Sequence, residues 1–223
     1  MKSENRFLVW WCGKPWLIAT YIIGIIILVM TIISWGEWDI PRRLIALLSI
    51  TLPIHVFEEN SFPDGFHFML NTVQKSERPN AGPMNRLSDM VSNFGGELIF
   101  VLMTFLGGNI VTSVFVVIFG IGECIVHTIF GFVLRKKLRN KGMNHIYGPG
   151  LLTSYLVLLP VSVYGIIWLS SQGIGLSHIL GGIVFSAAII ICLIRIPISV
   201  LGKYQPEYEF ESAGYFQKYE EDL

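Results

Sequence analysis

The sequence predicts an all-α polytopic membrane helix bundle, with about six transmembrane helices and both ends on the cytoplasmic side. Three observations lead there. Of 223 residues, 52% are hydrophobic and only 14% are charged, too apolar a balance for a water-soluble domain. The apolar residues fall into long runs, and a bilayer core of about 30 Å asks for about 20 of them in a row. The basic residues crowd into alternate connections, as cytoplasmic loops do.

The first run, Trp16 to Trp35, meets the length requirement alone and has a tryptophan at each end, where interfacial rings sit. It is too long for the apolar core of a secretion signal and lacks a small-x-small cleavage site, so it reads as a retained span. The second run, Leu44 to Phe57, is shorter and holds Pro53 and His55 ahead of Glu58-Glu59. Residues 60–93, rich in Pro, Gly, Asn and charge, read as a cytoplasmic or re-entrant segment, with Phe66 to Leu70 as its interfacial piece. The third span opens near Gly95-Gly96, with Glu97 at its mouth, and closes near Leu106 before the turn Gly107-Gly108-Asn109. The fourth, Ile110 to Leu134, carries Glu123 and His127, and the basic loop Arg135 to Lys141 follows it. The fifth runs from Pro149 to Trp168 and the sixth from Leu176 to Leu201. Glycine pairs in the later spans suit close helix packing.

Residues 1–202 thus read as one bundle domain. Residues 203–223 read as an acidic, aromatic cytoplasmic tail, solvated or loosely docked. With the N-terminus inside, only Arg42 and Arg43 of the sixteen Lys and Arg fall outside. Multi-pass insertion in the cell membrane follows. The zero net charge speaks against a nucleic-acid partner. Cys12, Cys124 and Cys192 are odd in number and lack C-x-x-C spacing, so they form neither a disulfide framework nor a thiolate metal site.

Ionisable side chains within spans are costly and usually line a site or a path. Here they gather in the cytoplasmic half. His55, Glu58 and Glu59 share one side of a helix, as do Glu123 and His127. Glu97 opens the third span from the same side, and His145 and Tyr147 precede the fifth. Carboxylates and imidazoles converging in a dry bundle are a ligand set for zinc, iron or manganese, in a mono- or dinuclear site. His55, Glu58, Glu123 and His127 are the expected ligands. Glu59, Glu97 and His145 are the expected acid/base groups, and Arg195 with Tyr147 the expected substrate contacts. His67 and His178 read as peripheral.

The ordered set His55-Val56-Phe57-Glu58-Glu59, Glu123-x-x-x-His127 and Tyr147-Gly148-Pro149-Gly150 resembles the HXXEE-motif family of small membrane proteins. The resemblance covers most of the chain, from the second span to the sixth, and implies a shared polar membrane site. Family members usually read Asn-Pro-Gly where this chain has Gly148-Pro149-Gly150. The expected function is that of a metal-dependent membrane enzyme acting on a lipid or lipid-like molecule from the cytoplasmic leaflet, with zinc or iron bound. Its rivals are a small proton- or cation-coupled transporter and a structural or immunity-type membrane protein. Nothing in the sequence specifies an oligomeric state.

Overall fold

Hydrophobic runs interrupted by capping residues produce the helices seen in the computed structural model, which describes residues 6–203 and 205–220. Lys2 and tail residues 221–223 lie outside the described residues. The order is α1 (Arg6–Trp11), α2 (Pro15–Ser34), α3 (Ile40–Asn60), α4 (Phe66–Val73), α5 (Arg86–Leu106) and α6 (Ile110–Lys137). Then come α7 (Leu151–Thr153), which a π-helical turn joins to α8 (Leu159–Ser170), and α9 (Leu176–Ile190), joined in the same way to α10 (Ile196–Leu201). A last short α11 (Gln217–Glu220) ends the tail. No strand occurs among the described residues. Six rods, α2, α3, α5, α6, α7–α8 and α9–α10, are long and apolar enough to cross a membrane.

Two helices start where local signals, not hydrophobicity, place them. Asp39 caps α3 by accepting from Arg42 N, with Pro41 in the first turn, so α3 is longer than its apolar run. Asn85 and Ser88 form a capping box that starts α5 at Arg86. Residues 86–93, expected to belong to the polar connection, are therefore the first two turns of a span. Gly95 and Gly96 lie inside that helix, facing Leu193.

α3 is the central rod, packed against α2, α5, α6 and α8. Gly24 of α2 lies so close to Pro53 that a Cβ there would sit 2.7 Å from the ring. The outward faces are aliphatic: Ile25, Ile32 and Ile33 of α2 and Leu156 and Ile167 of the α7–α8 rod are all exposed. At one end, Arg42 donates from Nε to Thr104 O, and Arg42 and Arg43 lie over Trp38 and Trp35. The other end collects α4, the 135–141 loop and the tail, and is called the basic end below.

The tail departs from the solvated or loosely docked strap expected of it. Ala213 and Phe216 are fully buried against Phe68, Met69, Leu134 and Met143. Phe210 N donates to Asn80 O, Tyr215 N to Asp64 O, Lys141 Nζ to Tyr219 O and Arg86 Nη2 to Glu207 O. The aromatic residues between its glutamates provide an apolar face, and α4 with the end of α6 provides its complement.

Candidate functional site

α3 and α6 run parallel. Gly108, just before α6, lies against Pro41 at the start of α3, so both helices leave from the same level. At 1.5 Å per residue, Glu59 and His127 then lie about 27 and 28 Å along, at matching depth. The i, i+4 pairs His55/Glu59 and Glu123/His127 turn toward each other across this seam. His55 Nε2 is 3.4 Å from Glu59 Oε1 and 3.7 Å from Glu123 Oε2. His127 Nε2 is 3.2 Å from Glu59 Oε1 and 3.5 Å from Glu123 Oε2. The two rings meet edge to face at 5.0 Å. His55, Glu59 and His127 are buried, and their ligand atoms all lie within 4.8 Å of one another. Glu123 is 23% exposed and reaches the group from the cavity side.

Glu58 lies outside this group. One residue along a helix is a turn of about 100°, which points Glu59 at α6 and Glu58 at the start of α7. There Glu58 Oε2 accepts from Thr153 N at 2.8 Å and Thr153 Oγ1 at 2.6 Å, while Oε1 accepts from Tyr147 OH and Leu152 N. The carboxylate satisfies orphan amides at a helix N-terminus. Burial and the Glu58 charge hold the Tyr147 phenol above its usual range, so it stays a donor.

Thr153 carries the consequence to His55. Its hydroxyl has one proton, given to Glu58 at 2.6 Å, so at 2.8 Å from His55 Nδ1 it must accept. That fixes the proton of His55 on Nδ1 and leaves the Nε2 lone pair aimed at Glu59 and His127. A metal-binding histidine is oriented by the same kind of outer partner. His127 is fixed sterically instead. Gly150, at φ +91°, lies flat against the ring, and a Cβ there would stand 2.0 Å from Cε1. Neither nitrogen of His127 has a well-aligned hydrogen bond among the described residues.

Glu97 is fully buried, and neither carboxylate oxygen has a hydrogen-bond partner among the described residues. His145 Nε2 stands 3.2 Å and 3.4 Å from the hydroxyls of Tyr215 and Tyr219 and so meets the tail. Tyr147 reaches Glu58, as above. Arg195, in the π-helical turn between α9 and α10, lines an apolar cavity of about 390 Å³ that also touches His55, Glu59 and Glu123. His178 is at the far end, where Nδ1 accepts from Gly175 N. Thr153 and Gly150 are the residues that sequence reasoning passed over. Only the glycine in the Tyr-x-Pro-Gly run was a signal for either.

Residues 46–165, more than half of the chain, match a family described as protein of unknown function with HXXEE motif. The chain belongs to that HXXEE family. No curated protein and no solved structure matches it. In this HXXEE protein the signature divides its labour: the His and the second Glu face α6, and the first Glu holds α7 and, through Thr153, the His.

Proposed function

We propose that this chain is a multi-pass membrane protein with the basic end in the cytoplasm, and that it is a metal-dependent enzyme acting on a lipid-like substrate. His55, Glu59 and His127 bind one divalent cation, zinc or iron. Two imidazoles and a carboxylate with open positions are a ligand set for either metal. A single observation carries the reading. Two Nε2 atoms and two carboxylates converge in a buried pocket, while the outer nitrogen of His55 is already committed to Thr153. Buried charge of this density is ordinarily neutralised by pairing or by metal.

The metal would act as a Lewis acid and bring the pKa of a bound water to about 7. Glu123, partly open to the cavity, would serve as the base that accepts a proton from the attacking water and passes it to the leaving group. That division favours hydrolysis of an ester, amide or phosphoester. The far half supports an enzyme over a carrier, because several of its buried hydroxyls are spent on backbone carbonyls of their own helices: Ser49 on Ile45 O, Thr104 on Phe100 O and Ser113 on Asn109 O. Metal analysis of the purified protein tests the proposal. One zinc or iron per chain is expected, lost in Glu59→Gln and retained, with activity gone, in Glu123→Gln. Wild-type protein that is metal-free after metal-replete expression would overturn it.

A further inference from the structure

The last rod narrows the class of substrate. Gly181 and Gly182 of α9 lie against Val111 and Val114 of α6, and Phe185 meets Phe115 edge to face. At Ile191 the helix widens into its π turn, and beyond it the rod packs on α5 instead, Leu193 on Gly95 and Gly202 against Pro83. α6 and the last rod therefore diverge toward the basic end, and the 390 Å³ cavity occupies the wedge. Val126 and Ile190, on its two walls, are 39% and 47% exposed. Its sideways opening is onto the aliphatic surface.

Arg195 stands where this wedge meets a second hollow, a groove of about 550 Å³ at the basic end that includes Gln74, Ser199 and Lys203. No carboxylate pairs with it among the described residues. An arginine that merely reached for headgroups would need only the groove. This one also borders an apolar hollow with the His/Glu group on its wall, and its planar fork suits phosphate or carboxylate.

We propose that the substrate is an anionic amphiphile. Its phosphate or carboxylate lies on Arg195 with Lys203 nearby, its chain lies in the wedge between α6 and the last rod, and its polar linkage faces the His/Glu group. The last point rests on the metal-enzyme reading; the binding itself is measurable without it.

The test uses full-length protein in detergent micelles, with metal content and ligand affinity measured on the same samples. The probes are a single-chain lysophosphatidic acid, the monoacylglycerol of equal chain length and glycerol phosphate. The lysophosphatidic acid should bind about tenfold or more tighter than either of the others, the scale of one charge-assisted contact. Arg195→Gln should erase that preference with metal content unchanged, and Arg195→Lys should restore part of it. Equal affinity for the neutral lipid, a preference that survives Arg195→Gln, or glycerol phosphate binding as tightly as the amphiphile would each overturn the proposal. Metal-free protein that keeps an Arg195-dependent preference would sink the enzyme reading and leave this one standing.

Discussion

Two pairs of histidines sit toward the basic end, and they are treated in opposite ways. His67 is enclosed, with its ring stacked on Phe210 at 3.7 Å and Nε2 on Ser212 O at 3.0 Å, and His145 meets the hydroxyls of Tyr215 and Tyr219. Both hold the tail. His55 and His127 instead turn Nε2 toward carboxylate oxygens at 3.2–3.7 Å. What separates a structural imidazole from a candidate ligand here is the use of the inward nitrogen, because all four lie near the same end of the bundle.

The largest expected effect breaks the site through its support. Gly150→Ala places a Cβ 2.0 Å from Cε1 of the His127 ring and strains a left-handed position. A loss of about 1–3 kcal/mol or more should appear as a lowered Tm, with bound metal lost. Unchanged stability would mean that the loop yields and that the ring is not held by contact. Next comes the contrast between the two pairs. His127→Ala should weaken metal binding strongly, so that the site fills only with metal in excess, with little change in the tail, whereas His145→Ala should free the tail to protease and leave metal content intact. The reverse result would exchange the roles assigned to the pairs.

Thr153→Val tests the link between them and the helix start. It keeps shape but removes the group that fixes the His55 tautomer and bonds Glu58. Metal affinity should fall about 10- to 100-fold, the usual range for an outer partner, with the fold retained. Full affinity in Thr153→Val would make the hydroxyl a bystander.

The smallest effect is on the tail and depends on pH. Burial lowers the pKa of His67 from 6.5 to about 4. The released tail exposes a histidine that binds a proton below about 6.5, but the docked one does so only near 4. Docking is thus fully supported above pH 6.5 and is lost as pH falls from 6.5 toward 4. Asp64, 3.9 Å away and raised by burial, works the other way in its own lower range. Between pH 7 and 5.5 the tail should become about tenfold easier to cleave, and a flat profile would rule out His67 as the cause.

Much of this was legible in the sequence, and the gaps have physical reasons. Six helices able to span a membrane follow from apolar run length, and the depth of His55, Glu59, Glu123 and His127 follows from counting residues. The split between Glu58 and Glu59 was not legible, because both are within one helix turn of His55 and only the placement of α7 tells them apart. Thr153 carried no signal, since a threonine in an apolar run ordinarily bonds its own helix. The start of α5 was hidden because hydrophobicity rises a full two turns after the Asn85 cap. The tail's acidic residues masked an aromatic face whose partner, α4, lies far away in sequence.

X-ray absorption at the edge of the bound metal, on the purified full-length protein, tests the central claim most directly. The account expects a shell of nitrogen and oxygen only, with scattering from two imidazoles that drops to one in His127→Ala. A shell containing sulfur, or two imidazoles persisting in that variant, would place the metal elsewhere and contradict it.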